Sequence, residues 1–190
     1  EDVYRRGALK ASADPAYEEA AKAVSRMANP PFLLLAHIRR SPRRDQIRTE
    51  FSHPFRREVG GRCVLFAHDG GIDGFDVREG RTDSLLVFDR LLEALGQDRK
   101  SEAEFKQAVA SAKAALDAEF PRKVSSYTIG MVDGDRIVAH RDARTCVPYF
   151  ALHETEWEGM EIVCSEVLAG FEGKWRLLRN GEFLVLPASR

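Results

Sequence analysis

The stretch from Gly61 to Ser84 constrains the fold of this chain more than any other part of the sequence. An apolar run over 63–67 predicts a buried strand that ends at His68-Asp69-Gly70-Gly71. The two glycines allow a sharp turn and present bare backbone N–H groups to a ligand. Thr82-Asp83-Ser84 then begins a strongly periodic helix. A strand end and a helix start therefore enclose one polar loop, where we expect a functional site.

The composition is that of an ordinary globular protein, and it excludes several classes of function. Of the 190 residues, 44% are hydrophobic and 31% are charged, which predicts a single domain over 1–190. The net charge of −1 argues against nucleic acid or a membrane surface as a partner. No apolar run approaches the ~18 residues of a membrane span. We interpret the arginine pairs at 39–40, 43–44 and 56–57 as a solvated loop face.

Three cysteines, Cys63, Cys146 and Cys164, lie within apolar runs of the sequence. An odd number of cysteines in buried strands predicts reduced thiols and a cytoplasmic location. None has the CxxC spacing of a structural zinc site, so we expect no metal. Packing in the core is the role that we predict for all three.

Helices are indicated in three places. Asp14-Pro15 is typical of a helix start, and the pattern continues over 16–28. Apolar residues at helical spacing predict a second helix over 82–96. Ser101 and Glu104 form a capping box for a third helix, over 101–119. The short polar connection between the last two predicts an antiparallel helix pair lying on a sheet.

The rest of the chain predicts short strands, with hairpin turns at Asp133-Gly134 and Asn180-Gly181. Besides the run at 63–67, strands are expected over 2–6, 32–36, 125–132, 136–141, 147–152, 161–164, 175–178 and 183–186. Strands, then two helices, then many antiparallel strands indicate an α+β fold, with sheet on sheet and helices outside.

Polar residues at the ends of the apolar runs are candidates for a binding site: Arg39, His53, His68, Asp69, Gly70 and Asp83. Arg39 offers a planar fork for a carboxylate, and Asp83 at a helix start can meet an ammonium group. Together they can hold an α-amino acid by both charged ends, while the Gly70 N–H can donate to a developing oxyanion. The alternatives remain a surface charge for Arg39, a helix cap for Asp83 and a plain turn at Gly70.

Four short motifs in order resemble the class II glutamine amidotransferases: 35–39 (LAHIR), 52–55 (SHPF), 66–70 (FAHDG) and 80–84 (GRTDS). The resemblance is to the stand-alone bacterial and archaeal branch, which includes the γ-glutamyl hydrolase of ergothioneine synthesis. It continues at 132–136 and 162–166, at Trp175 and at 182–184. It implies a four-layer αββα sandwich of the N-terminal-nucleophile hydrolase type.

The resemblance also implies roles for individual residues. Arg39 would bind the α-carboxylate of glutamine, Asp83 its α-ammonium group, and Gly70 would supply an oxyanion-hole N–H. His37, His53 and His68 lie inside the motifs and are further candidates. The implied reaction hydrolyses glutamine or a γ-glutamyl amide to glutamate and ammonia or an amine through a cysteine thioester. It implies no metal or organic cofactor, and a homo-oligomer or a synthase as a possible protein partner.

The sequence departs from the family pattern in two ways. The nucleophile of the family is an N-terminal cysteine at the head of the first strand, whereas this chain begins with Glu1. We therefore expect the first strands and the nucleophile to be missing and the 190 residues alone to be inactive. Asp69 also stands where the family usually has asparagine, and Phe51 where asparagine is common. The alternative is a non-catalytic relative that binds an amino acid or γ-glutamyl compound or regulates a partner; a nucleic-acid-binding module is disfavoured.

Overall fold

A computed structural model describes residue 7 and residues 13–26, 32–39, 46–77, 81–170 and 173–187. Its elements, in chain order, are α1 (Pro15–Ser25), a 3₁₀ helix (Thr49–Phe51), β1 (Phe55–Val59), β2 (Arg62–Asp69), α2 (Asp83–Leu95), α3 (Glu102–Glu119), β3 (Thr128–Asp133), β4 (Arg136–His140), β5 (His153–Trp157), β6 (Met160–Cys164), β7 (Arg176–Leu177) and β8 (Phe183–Pro187).

The strands form two sheets, and every neighbouring pair in them is antiparallel. The five-stranded sheet has the order β1-β2-β3-β4-β8, and the three-stranded sheet has the order β6-β5-β7. Antiparallel sheets with separate helices confirm the predicted α+β class.

Helices α2 and α3 pack together on one face of the five-stranded sheet, as predicted. Their buried residues include Phe88, Phe105 and Leu116, which join Phe66 of β2 and Met131 of β3 in one core. The caps also agree with the sequence. The Thr82 hydroxyl accepts from the Leu85 N–H at the start of α2, and the capping box at the start of α3 is formed. Local capping and a continuous apolar stripe together fix where this helix pair begins and which face it buries.

The first helix begins as predicted but is shorter in the described residues. Asp14 caps it by accepting a hydrogen bond from the Ala16 N–H, and Pro15 occupies its first turn. It ends at Ser25, whereas the sequence pattern continues to residue 28, in a part outside the described residues. The strand predicted over 2–6 also lies outside the described residues.

The strand that we predicted over 32–36 is wrong. Residues 32–39 form no strand; Leu34 is 50% exposed and Ile38 is 65% exposed, so the run is not buried on both faces. Leu35 alternates with them and packs against β3, because a Cβ placed on Gly130 would lie 3.1 Å from Leu35 Cδ1. Gly130 neighbours Ile129, which faces the helices, so this segment covers the opposite face of the sheet.

The strand predicted over 147–152 is also wrong, since this segment forms a turn and the strand begins only at His153. Pro148 has no N–H to donate to a ladder. The buried guanidinium of Arg141 instead takes three carbonyl groups, donating to the Phe150 oxygen at 2.9 Å, the Leu178 oxygen at 2.5 Å and the Val147 oxygen at 3.0 Å. A single side chain thus satisfies carbonyl groups that a strand would have paired.

A turn is present at Asn180-Gly181, but it does not join two paired strands as predicted. The preceding strand β7 pairs with β5, and the following strand β8 pairs with β4 in the other sheet. The hairpin at Gly134, which has φ +67°, does connect paired strands, β3 and β4. The sequence pattern missed two strands, β1 and β5. Both carry several charged residues on partly exposed positions, which hides the alternation.

Candidate functional site

The candidate residues gather at one end of the five-stranded sheet. The last residue of β2, Asp69, pairs with Thr128 at the start of β3, and Phe55 begins β1 on the other side. The loop after β2 leads to Asp83, the first residue of α2. The sequence therefore predicted correctly that a strand end and a helix start would enclose this loop.

His68 is the buried centre of this region, with only 3% of its surface exposed. Its Nε2 lies 3.0 Å from the Ser126 carbonyl oxygen, and its Nδ1 lies 3.0 Å from Ser84 Oγ. Because a carbonyl oxygen only accepts, Nε2 carries the proton, and Nδ1 accepts from the Ser84 hydroxyl. Burial lowers the pKa of His68, and this effect outweighs the nearby carboxylates Asp83 and Asp69, so the ring is neutral at pH 7.

Gly70 lies directly against the His68 ring. A Cβ at this position would be 2.3 Å from the Ser126 carbonyl oxygen and 2.6 Å from His68 Nε2. Both distances are far below van der Waals contact, so the backbone passes here only because the residue has no side chain. The next residue is anchored from the same side, since the Gly71 N–H donates to Ser125 Oγ at 2.9 Å. The position of Gly70 is thus fixed by packing.

The Asp83 carboxylate faces the loop after Gly70. Its Oδ2 accepts from the Ile72 N–H at 3.1 Å, and its Oδ1 accepts from the Ser84 N–H at 2.8 Å. A Cβ on Gly71 would lie 3.4 Å from Oδ2, so the carboxylate sits beside the loop backbone. Each carboxylate oxygen has a second lone pair, which leaves room for an ammonium group to donate.

Asp69 lies on the opposite face of the sheet from His68, because successive side chains of a strand alternate. Its carboxyl group is half-buried, and burial raises its pKa above the usual range, against the opposing influence of His68. A carboxyl with a raised pKa keeps its proton to a higher pH and can then donate a hydrogen bond.

The Arg39 guanidinium is hydrogen-bonded to the last residue of the 3₁₀ helix. Its Nη1 donates to the Phe51 carbonyl oxygen at 3.2 Å, and its Nη2 donates to Gln46 Oε1 at 3.2 Å. Among the described residues these contacts use two of the five guanidinium N–H groups, which leaves three for a carboxylate ligand. Phe51 itself is buried, with 3% of its surface exposed.

His37 and His53 complete the cluster. Their ring centroids are 4.5 Å apart with the planes close to perpendicular, and the centroid of His53 lies 4.6 Å from that of Phe55. His37 and His53 therefore lie together next to the start of β1. Burial lowers the pKa of His37 to about 4, so this ring too is neutral at pH 7. That Arg39 and Asp83 grip the two ends of one ligand remains a prediction.

Sequence reasoning missed the serines that position this region. Ser84 and Ser126 hold the two nitrogens of His68, and Ser125 holds the loop at Gly71. Ser126 Oγ also donates to Thr128 Oγ1 at 2.9 Å, which fixes the start of β3. The signal available in the sequence was the serine pair 125–126 directly before a strand. The partners of these serines, His68 and Gly71, are more than 50 positions away along the chain, so the sequence pattern did not identify them.

The cysteines take no part in this region, and their predicted core role is wrong. Cys63 and Cys164 are only partly buried, and Cys146 is exposed, with φ +47° in the turn after β4. In the described part of the chain, no group of three or more His, Cys, Asp or Glu side chains is placed to hold a metal ion. No helix in that part is long and apolar enough to cross a bilayer.

The helix pair on an antiparallel sheet, with the loop at the end of β2, defines a class of fold, an α+β domain of the N-terminal-nucleophile type. The comparisons with solved structures support it. A class-II glutamine aminotransferase domain protein from Silicibacter pomeroyi matches with a TM-score of 0.64 and 22% identity, over 97% of this chain and 81% of that one. The phosphoribosylpyrophosphate amidotransferase of Bacillus subtilis, in complex with ADP and GMP, matches with a TM-score of 0.53 and 15% identity, over 80% of this chain and 32% of that one.

The chain belongs to the class-II glutamine amidotransferases, whose family model matches residues 7–155. It is 27% identical over 184 residues to the Escherichia coli (strain K12) protein named "Putative glutamine amidotransferase YafJ", covering 80% of this chain and 71% of that protein. A predicted glutamine amidotransferase from Pseudomonas aeruginosa has a TM-score of 0.50 and 20% identity, over 73% of this chain. The match spans 63% of the length of that Pseudomonas chain.

Proposed function

We propose that this protein binds glutamine or a γ-glutamyl amide at the end of its five-stranded sheet and hydrolyses the side-chain amide. The observation that carries the proposal is the Asp83 carboxylate, which accepts from the Ile72 N–H and lies beside Gly71, in the loop that Gly70 begins. Asp83 can accept from the α-ammonium group of glutamine, and a backbone N–H of the loop can donate to its side-chain amide. Both groups must be held in place for the amide to react.

In this proposal Asp83 accepts from the α-ammonium group, and Arg39 binds the α-carboxylate through its remaining N–H groups. Gly70 donates its backbone N–H to the oxyanion, which forms on the carbonyl oxygen when the amide carbon is attacked. His68 is hydrogen-bonded to Ser84 and Ser126, and its ring packs against Gly70. The neutral state of His68 supports this arrangement, since a cation there would compete with the ligand ammonium for Asp83.

The chemical step needs a nucleophile that the 190 residues do not supply. In the family mechanism an N-terminal cysteine thiol attacks the amide carbon, ammonia or an amine leaves, and water hydrolyses the thioester to release glutamate. Cys63, Cys146 and Cys164 lie inside the chain, so none has the free α-amine that this mechanism uses. We therefore propose that the nucleophile lies outside the 190 residues and that these residues alone do not turn over.

The second candidate is a relative that binds the same ligand without hydrolysing it. Asp69, next to Gly70, favours this alternative, because an ionised carboxylate repels an oxyanion. Both candidates share Arg39 and Asp83. A single domain over residues 1–190, and a homo-oligomer or an ammonia-consuming synthase as partner, belong to the same proposal.

Calorimetry of L-glutamine binding to the 190-residue chain tests the shared part. The change Arg39→Ala should weaken binding by about 1.5–3 kcal/mol, the range for hydrogen bonds to charged groups. The matched control is Arg48→Ala, because Arg48 directly precedes the 3₁₀ helix, is exposed and pairs with Glu50 at 3.6 Å. Equal weakening by both changes, or wild-type protein that does not bind glutamine, would reject the assigned site.

Ammonia release by a protein that carries an N-terminal cysteine segment separates the two candidates. Turnover that depends on this cysteine and on Asp83 supports the hydrolase. Tight binding without turnover supports the binding protein.

A further inference from the structure

We infer that Ser125 is a positioning residue for the proposed hydrolysis, because it fixes the Gly71 backbone next to Gly70 through contacts within the protein. The inference rests on the function proposed above. It adds to that function a residue that lies outside all the motifs that indicated the family. The role that we assign to Ser125 is to keep the Gly70 N–H oriented for the chemical step.

Ser125 is hydrogen-bonded to both polar groups of Gly71. The Gly71 N–H donates to Ser125 Oγ at 2.9 Å, and the Ser125 N–H donates to the Gly71 carbonyl oxygen at 2.9 Å. The Ser125 hydroxyl also donates to that carbonyl oxygen, at 3.2 Å. Because the Gly71 N–H belongs to the planar peptide group that joins Gly70 to Gly71, these bonds fix the orientation of that group.

The loop beyond Gly71 pairs with the segment that leads into β3. Ile72 and Val124 lie opposite each other in an antiparallel bridge, and the bond from the Ser125 N–H to the Gly71 carbonyl oxygen is the next step of this ladder. In a regular antiparallel ladder such a pair exchanges two hydrogen bonds, so the Gly71 N–H would donate to the Ser125 carbonyl oxygen. Here the Gly71 N–H donates to the serine side chain instead.

The Ser125 carbonyl oxygen has other partners. It accepts from the Arg144 N–H at 2.9 Å and from the Thr145 N–H at 3.0 Å. A carbonyl oxygen has two lone pairs, so these two bonds use its full capacity. The hydroxyl at position 125 therefore supplies the acceptor that the backbone does not offer to Gly71. Ser125→Ala removes this acceptor and leaves the backbone bonds of residue 125 in place.

Two consecutive glycines make this attachment important for catalysis. Glycine has more backbone freedom than any other residue, so Gly70-Gly71 needs external contacts to keep one conformation. An oxyanion donor is effective when it is oriented in advance, and a misplacement of about 1 Å can cost about 100-fold in rate. Among the described residues, no hydrogen bond of Ser125 involves Arg39 or Asp83, the proposed ligand-binding residues. Loss of its hydroxyl should therefore affect kcat more than KM.

Glutamine hydrolysis by a protein that carries an N-terminal cysteine segment measures this effect. Ser125→Ala should lower kcat by about 10- to 100-fold. It should change KM by less than about 3-fold, as expected for an interaction that acts in the transition state. Ser125→Thr keeps the hydroxyl and should restore most of kcat. The matched control is Ser101→Ala, which removes a hydroxyl that accepts a backbone N–H at the start of α3 and should retain wild-type kcat.

Amide hydrogen exchange of the 190-residue chain tests the attachment without a ligand. The Gly71 N–H should exchange at least about 10-fold faster in Ser125→Ala than in the wild type or in Ser125→Thr. The Asp73 N–H is the internal control, because it donates to the backbone carbonyl oxygen of Lys123 at 2.8 Å and should change little.

Three results would reject the inference. Equal exchange of the Gly71 N–H in the wild type and in Ser125→Ala would overturn it even if the protein hydrolyses glutamine. Wild-type kcat in folded Ser125→Ala, or a raised KM at unchanged kcat, would overturn the role in the chemical step. Wild-type protein that carries the cysteine segment and neither binds nor hydrolyses glutamine would instead reject the proposed function, and the role of Ser125 with it.

Discussion

The side chain of Asn180 forms two hydrogen bonds with the backbone of Ala143. The Ala143 N–H donates to Asn180 Oδ1 at 2.7 Å, and Asn180 Nδ2 donates to the Ala143 carbonyl oxygen at 2.9 Å. The Gly181 N–H also donates to the Arg141 carbonyl oxygen at 2.7 Å. The turn between β7 and β8 is thus attached to the end of β4, at the point where the chain passes from the three-stranded sheet to the five-stranded sheet.

Asn180→Ala should therefore destabilise the protein, because both hydrogen bonds to Ala143 are lost. Each net hydrogen bond contributes about 0.5–1.5 kcal/mol, so we expect a decrease of about 1–3 kcal/mol in the free energy of unfolding, measured in urea. Asn180→Asp retains the acceptor but not the donor and should cost less. Wild-type stability in Asn180→Ala would show that this turn does not depend on its side chain.

Gly70→Ala should be far more damaging than Gly71→Ala. At Gly70 the new methyl group meets the Ser126 backbone oxygen at 2.3 Å, and overpacking of this kind costs about 1–3 kcal/mol. At Gly71 it lies 3.4 Å from Asp83 Oδ2, an ordinary contact, so the change should stay within about 1 kcal/mol. Thermal unfolding of the two variants measures the difference. If both are equally stable, the packing of Gly70 against His68 and Ser126 is wrong.

Asp133→Ala should remove a buried charge that holds two arginines. Asp133 Oδ1 accepts from Arg62 Nε at 2.9 Å, and Oδ2 accepts from Arg136 Nη2 at 2.7 Å. Removing one partner of such a buried pair costs about 3–5 kcal/mol at neutral pH. Asp135→Ala is the matched control at the same hairpin, since Asp135 pairs with Arg99 at the surface and should cost no more than about 1 kcal/mol.

The loss in Asp133→Ala should depend on pH. Burial raises the pKa of Asp133, but hydrogen bonds from Arg136 and Arg62 outweigh it, and the pKa lies below its usual value. The stabilisation is present above the unfolded-state pKa of about 3.9 and is lost as pH falls through the lower folded-state pKa. Urea unfolding at pH 7 and pH 3 should show the wild type and the variant converging in acid. A difference that is independent of pH would contradict the assigned charge.

Asp69→Asn should have the opposite pH dependence. Burial raises the pKa of Asp69, so the folded state holds this proton more tightly than the unfolded state does. The wild type therefore loses stability as pH rises from the unfolded-state pKa through the folded-state pKa, and the variant does not. Asp69→Asn should be the more stable protein at pH 7, with the two alike in acid. A variant that is less stable at pH 7 would show that the ionised carboxylate has a favourable partner.

The features predicted correctly from sequence depend on nearby residues. The starts of α2 and α3 follow from Thr82 and Ser101, whose hydroxyl groups cap helices within three residues. Strand β2 follows from a continuous apolar run that is bounded by glycines. Motif order along the chain indicated the family, and the family model confirms it over residues 7–155. These signals are local, so the sequence contains them in full.

Errors arose where a distant residue decides the structure. The turn at 147–152 replaces a predicted strand because Arg141 takes the carbonyl groups of Val147 and Phe150. The strands on either side of Asn180 join different sheets because its carboxamide bonds to Ala143, 37 positions away. Pairing partners of this kind depend on the whole chain.

The sequence by itself determined the helices, their caps, the main buried strand and the glycine loop that ends it, since these depend on backbone preferences and apolar periodicity within one element. Only the tertiary structure decided that His68 is neutral and fixed between Ser84 and Ser126, and that Gly70 needs to be glycine. The physical reason is that a hydrogen bond across 58 positions, or a backbone approach of a few ångströms, exists only after α2, β2 and β3 have packed together.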